Sequence, residues 1–291
     1  SWFSYHGGHS GAYCRHAQGS LRDVLQAACV RGFTSYGLSE HVPREFREDL
    51  FPDEQDLAPA DLAAMFDAYV EEALRLRAGF EGRLEVLVGF EAEWIRPERD
   101  AERMRAIRGA ADFDYFVGSV HHVDGTIIDE SAARTEAVER RVGGRVELDR
   151  AYFDAVAAMV EALRPPVVGH LDLVRKFRGE DVPFDPAVSP HIERALEAVA
   201  AAGALLEINA APARRRLGPV YPQEALLARA RALGIGVTLG DDSHGPPDVG
   251  TGLRASVEAA ARAGYGEIHR LVRREGCVTA EAVPIGTVRA S

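Results

Sequence analysis

Short apolar runs alternate along this chain with longer segments in which apolar residues recur every three or four positions. The runs at 2–5, 33–40, 84–91, 114–120, 165–170, 204–209 and 234–240 predict strands. The amphipathic segments at 20–31, 60–78, 98–110, 148–163, 189–202, 222–233 and 252–263 predict helices, and Gly32 stands just past the first, where a helix end favours glycine. Several of the strands are nearly continuous apolar runs, as expected when helices cover both faces of a sheet. Such alternation implies a parallel sheet with right-handed crossovers. No GxGxxG follows the first strand, which argues against an open, doubly wound sheet. The pattern therefore predicts an α/β barrel of seven strand–helix units, one domain over residues 1–291. Two long connections, 42–59 and 123–147, break the rhythm and are expected as surface elaborations or as lids over the strand-end face.

The histidines fall in a telling place in that pattern. His41 (LSEH), His121 (VGSVHH), His170 (VVGH) and His244 (TLGDDSH) each follow a predicted strand, and His6, His9 and His16 cluster around the first. In a barrel the loops after the strand ends converge on one face. A lone histidine at a strand end is usually structural. Seven of them, with Glu91 and Asp242 at comparable positions, point to metal ligation. A carboxylate at Glu91 can bridge two cations, and Glu93 shares its face in an extended chain and competes for that role. Adjacent residues point apart, so only one of His121 and His122 is expected to ligate, leaving the other to face substrate or bond locally. Asp242 and His244 can serve different cations of one cluster, and Asp241 is left as a candidate for proton transfer. His191 and His269 lack such companions and read as structural. His6 and His9 are three apart, which in a regular strand sends their rings to opposite faces, so Gly7-Gly8 is expected to form a bulge or tight kink that reunites them. Arg175-Lys176 and Arg214-Arg215-Arg216 lie just beyond two strand ends, where a guanidinium can grip a phosphate through parallel hydrogen bonds.

Composition narrows the partners. A net charge of −11 disfavours extended nucleic-acid binding, though bound cations would reverse the field locally for a small anionic substrate. Cys14, Cys29 and Cys277 are odd in number with no CxxC spacing, which fits a reducing cytoplasmic setting rather than a disulfide scaffold. No stretch has the length of a membrane-spanning helix, and no signal-peptide pattern opens the sequence.

Taken together, HSGAYCRHA at 9–17, LSEH at 38–41, GFEAE at 89–93, VGSVHHVDG at 117–125, VVGHLDL at 167–173, LEINAAPARRR at 206–216 and LGDDSH at 239–244 are specific. Through them the whole chain resembles the polymerase and histidinol phosphatase (PHP) superfamily, and most closely its histidinol-phosphate phosphatase branch. The resemblance implies a distorted (β/α)7 barrel with three divalent transition metal ions, the donors suiting Zn, Fe or Mn. One metal would take His6, His9, Glu91 and Asp242. A second would share Glu91 and add His121 and His170, and a third would take His16, His41 and His244. Arg214 and Arg175 or Lys176 would lie near substrate phosphate. The family usually begins His-x-His, whereas this chain has His6-Gly7-Gly8-His9, one residue longer.

The function so implied is hydrolysis of the small phosphomonoester L-histidinol phosphate to L-histidinol and phosphate, a late step of histidine biosynthesis. Glu91 would hold the metals that activate water, Asp241 is a candidate acid for the leaving group, and Asp129 is a candidate partner for the substrate amine. Two alternatives remain at this point: a PHP phosphoesterase acting on another phosphomonoester or an oligonucleotide end, and a catalytically silent PHP domain kept for regulation or assembly. The sequence leaves the oligomeric state open.

Overall fold

The computed structural model of the protein describes residues 2–178, 182–215 and 218–288. Seven parallel strands form its main sheet, in sequential order: β1 (Trp2–Ser4), β2 (Phe33–His41), β3 (Glu85–Ala92), β4 (Val117–Gly118), β7 (Val167–Val168), β8 (Leu205–Asn209) and β9 (Val237–Gly240). The last strand returns to the first. The Tyr5 amide donates to the Leu239 carbonyl at 2.9 Å and the Asp242 amide to the His6 carbonyl at 2.8 Å. The sheet thus nearly closes into the barrel that the alternating pattern predicts. Around it lie α1 (Leu21–Val30), α2 (Pro59–Gly79), α3 (Pro97–Ala110), α4 (Ala132–Val142), α5 (Arg145–Leu163), α6 (Ser189–Ala202), the short α7 (Ala211–Arg215), α8 (Glu224–Ala232) and α9 (Leu253–Arg262). No helix among the described residues is long and apolar enough to cross a membrane.

Local chemistry sets these boundaries. Ser20 caps α1 by accepting from the Asp23 amide, and Asp23 answers by accepting from the Ser20 amide, so two otherwise orphaned donors are satisfied. α6 stops at Gly203, whose φ of 67° closes the last turn without a Cβ penalty. Register matters most between β2 and β3. Ser35 pairs with Glu85 and the ladder runs on to His41 beside Glu91, so a ligand candidate from each strand ends at the same height.

The structure departs from the pattern in three places. The run at 114–120 pairs only over Val117–Gly118, because beyond it the chain leaves the sheet and the His121 carbonyl accepts from the Ile128 amide. Residues 123–147 are not an extended loop. β5 (His122–Val123) and β6 (Thr126–Ile127) form a hairpin across Asp124-Gly125, both at positive φ as a tight hairpin turn requires, and α4 follows, capped by the Ser131 hydroxyl. Finally, β10 (Glu267–Arg274) and β11 (Cys277–Pro284) make an antiparallel hairpin that the pattern does not predict. It lies against β9, where the Thr238 hydroxyl donates to the His269 carbonyl at 2.8 Å.

Candidate metal centre

All the ligand candidates sit at the strand-end mouth of the barrel, gathered about Glu91. Its Oε1 lies 3.1 Å from His6 Nε2, 3.3 Å from His121 Nε2 and 3.2 Å from His170 Nε2. Its Oε2 lies 3.0 Å from His41 Nδ1 and 4.0 Å from His9 Nε2. One carboxylate, 1% exposed, therefore faces five imidazoles. Further out, the His244 ring stacks on His9 with centroids 4.3 Å apart and on His16 at 4.9 Å.

Gly7-Gly8 supplies the geometry that the long first motif needs. Their φ values of 134° and 74° turn the chain sharply, and a Cβ on Gly7 would lie 2.5 Å from Asp241 Oδ1 and 2.6 Å from the Ser243 amide nitrogen. The turn leaves the rings of His6 and His9 6.4 Å apart, with donor atoms of both close to one on Asp242.

The donor set fits divalent cations. Buried nitrogens of four of these imidazoles, His6 Nε2, His9 Nε2, His41 Nε2 and His170 Nδ1, have no hydrogen-bond partner, an arrangement that is costly unless a cation takes the lone pairs. Three groups of donors lie close enough to share ions: His6 with Glu91 and His170, His6 with His9 and Asp242, and His9 with Cys14, His41 and His244. His9 thus belongs both with the Asp242 group and with His41 and His244. Charge is graded across the cluster. Burial opposes protonation of His6 and His121, but Glu207 and Glu91 beside the first, and Glu93 and Glu91 beside the second, raise both well above the ordinary imidazole value. His244 is held well below it, and His16 falls to about 4, by burial and by neighbouring imidazoles. The inner half therefore carries the carboxylates, and the outer half depends on neutral rings.

A cleft of about 380 Å³ opens above Glu91, with His16, His41, His121, His170, Asp242 and His244 in its floor. Both long connections wall it: Phe51, Pro52 and Asp53 on one side, Ile127, Asp129 and Glu130 on the other. Lys176 reaches the cleft and places Nζ 3.1 Å from Asp129 Oδ2. His122 does not itself line the cleft; its ring stacks on Phe51 with centroids 6.2 Å apart and its Nδ1 lies 3.8 Å from Glu93 Oε2.

Three sequence candidates lie elsewhere. The Arg175 guanidinium is buried, bonded to Asp172 and to the Val220 carbonyl, and does not line the cleft. Arg214 donates to the carbonyls of Asp241 (2.6 Å) and Asp242 (2.7 Å), fastening the turn that carries a ligand rather than facing the cleft. Asp241 is wholly buried and its carboxylate accepts from Tyr36 at 3.1 Å and from the Gly250 amide at 2.7 Å. Burial raises its pKa to about 6, but it does not line the cleft. In each case strand-end position brought the residue near while its side chain turned inward to satisfy the backbone. Arg216 and the Arg215 side chain lie outside the described residues. We expect Arg214→Lys to lose one of the two charged hydrogen bonds, about 1.5–3 kcal/mol. That loss should appear as a lower Tm and weaker metal retention with KM for a phosphomonoester unchanged. A KM raised tenfold at unaltered Tm would instead put Arg214 on the phosphate.

Sequence reasoning did not single out Glu207, Cys14 or Asp53. Glu207 Oε1 lies 2.9 Å from His6 Nδ1, and Asp53 Oδ2 accepts from His16 Nδ1 at 3.0 Å. A charged residue inside the apolar run ALLEIN was the available signal for Glu207, since a buried acid demands a partner.

Residues 6–211 match the PHP domain model, and the chain belongs to the PHP domain family. It is 40% identical over 247 residues to the probable histidinol-phosphatase of Schizosaccharomyces pombe, a match covering 83% of this chain and 80% of the relative. The fold is similar to that of HisK from Listeria monocytogenes (TM-score 0.76, 23% identity, covering 87% of this chain and 99% of that one). It is also similar to that of the histidinol phosphate phosphatase of Lactococcus lactis, solved with Zn, L-histidinol and phosphate (TM-score 0.70, 20% identity, covering 95% and 98%).

Proposed function

We propose that this chain is a metal-dependent histidinol-phosphatase, hydrolysing L-histidinol phosphate with water to L-histidinol and inorganic phosphate. The observation that carries this is the convergence of five imidazoles on Glu91 at the floor of a cleft, in a chain 40% identical to a probable histidinol-phosphatase over most of its length. We assign the metal-holding role to His6, His9, His16, His41, Glu91, His121, His170, Asp242 and His244, and we propose three ions, with Zn, Fe or Mn as the candidates. Such ions, when bound, polarise phosphoryl oxygens and lower the pKa of a coordinated water.

The chain's own residues do the rest. Glu91 keeps the imidazoles at one point and neutralises cation charge. Lys176, at the cleft edge, supplies the cationic contact for a phosphoryl oxygen in place of Arg175 and Arg214. Asp129, whose Oδ2 lies 3.1 Å from Lys176 Nζ, and Glu130 also line the cleft and offer carboxylates to the ammonium and imidazole ends of the substrate. The apolar faces of Phe51, Pro52, Ile127, Leu173 and Pro212 exclude water around the carbon skeleton.

The test is phosphate release from a panel: L-histidinol phosphate, glycerol phosphate, an aryl phosphate and a 3′-phosphorylated oligonucleotide. One charge-assisted contact to the amine is worth about 1.5–3 kcal/mol, so kcat/KM for L-histidinol phosphate should lead by roughly one to two decades. Equal rates across the panel, or preference for the oligonucleotide, would remove the substrate assignment. Absence of release from every member would favour the silent-domain reading.

A further inference from the structure

We propose that Glu207 is the positioning residue that fixes the tautomer of His6 and so aims its Nε2 at the metal centre; this rests on the metal-dependent reading above. A metal-binding imidazole must offer a bare nitrogen, and which nitrogen is bare depends on the hydrogen bond made by the other. In His6, Nε2 lies 3.1 Å from Glu91 Oε1, inside the cluster, and Nδ1 lies 2.9 Å from Glu207 Oε1, outside it, neither contact being aligned as a hydrogen bond. Only an acceptor at Glu207 keeps the proton on Nδ1.

Glu207 is held so that it can be nothing else. It is fully buried on β8, and its Oε2 accepts from the His170 amide at 2.7 Å. Its Oε1 also accepts from Asn209 Nδ2 at 3.0 Å, and Asn209 cannot flip without loss because its Oδ1 accepts from the Ala211 amide at 2.9 Å. Both carboxylate oxygens thus meet donors. Gly240 on the neighbouring strand lacks the Cβ that would occupy the space of this carboxylate. The same device recurs nearby: His9 Nδ1 bonds Glu40 Oε1 at 2.8 Å and His121 Nδ1 bonds Glu93 Oε2 at 3.1 Å. Glu207 has both oxygens engaged by fixed donors, one on β8 and one in the loop after β7, and so ties the segment of His6 to that of His170.

This arrangement makes the isosteric change decisive. In Glu207→Gln the amide oxygen should keep the His170 amide, the shorter contact at 2.7 Å, at the expense of the 3.0 Å contact from Asn209 Nδ2, which then meets the NH2. The NH2 then faces His6 Nδ1, which becomes the acceptor, and the proton moves to Nε2, the nitrogen the metal needs. Shape is kept and the tautomer is inverted.

The experiment uses the full chain loaded with Zn2+ and 15N-labelled at histidine. In the unaltered protein His6 should show a protonated Nδ1 and a metal-bound Nε2. In Glu207→Gln that pair of signals should be lost, and competition against a chromophoric chelator should show the weakest-held Zn2+ bound about 10–100-fold less tightly. His6→Ala serves as the second background. If Glu207 acts through His6, adding Glu207→Gln to His6→Ala should cost no further metal affinity. Unchanged ring signals and affinity in Glu207→Gln, or an equal loss in both backgrounds, would overturn the proposal. Should Glu207→Gln fold poorly, Asn209→Ala removes one donor to the same oxygen and should leave the His6 tautomer intact. Loss of the tautomer there would assign the role to the wider network instead. Zn2+ bound normally with no phosphate released would count against the functional reading and leave this proposal standing.

Discussion

Replacing Glu91 with Gln is expected to abolish most of the activity and to empty more than one metal position at once. The five imidazoles within 4.0 Å of this carboxylate converge on it from four separate segments of the barrel mouth. An amide keeps the shape but removes the charge that holds the cluster and its cations together. Removing one partner from a buried ionic cluster costs about 3–5 kcal/mol, which is roughly two to nearly four decades in a rate that depends on the site. Elemental analysis of protein prepared without chelator, paired with kcat/KM, checks it. Full metal content and kcat/KM within threefold of the unaltered chain would mean that Glu91 is not the hub. Any single histidine should matter less, because each serves one edge of the cluster.

Gly7→Ala should produce the second largest loss, and through the backbone rather than through a ligand. A methyl group at φ 134° carries strain of about 1–3 kcal/mol, and its contacts at 2.5 Å with Asp241 Oδ1 and 2.6 Å with the Ser243 nitrogen add overpacking of about 1–3 kcal/mol more. Both ends of that clash carry ligands, since His6 precedes Gly7 and Asp242 lies between the two residues it would strike. Tm and metal content should therefore fall together. Gly234→Ala is the control: its φ of 75° is also positive, but nothing lies within 4 Å of the added Cβ. It should lower Tm slightly and leave metal content unchanged. Equal effects of the two changes would show that the Gly7 turn has no special bearing on the centre.

The barrel was legible because its strands are apolar runs bounded by helix caps, and those signals are local. The convergence of the candidate ligands was legible for the same reason, since a strand end is read directly from where an apolar run stops, and register then brings His41 beside Glu91. The C-terminal hairpin was not. β10 buries Ile268, Leu271 and Val272, a spacing that is neither two nor 3.6, among three arginines and other polar groups, and β11 is largely exposed. Its Glu275-Gly276 turn, both residues at positive φ, was the one available signal. The helix α4 was hidden by its charge: Thr135 and Val138 are its buried residues. The basic residues show the deeper limit. Arg175, Lys176 and Arg214 occupy equivalent positions after strands, yet only Lys176 reaches the cleft. Which way a guanidinium turns depends on which carbonyls the surrounding turns leave unsatisfied, and that is a property of the closed fold.

The most direct test of the account is to strip the protein of metal with a chelator and return Zn2+ or Mn2+ stepwise, counting bound ions per chain while following phosphate release from L-histidinol phosphate. The account predicts no release from the stripped protein, return of activity as metal is added, and more than one ion per chain at full rate. Undiminished release from stripped protein, or full activity with no ion retained, would contradict it.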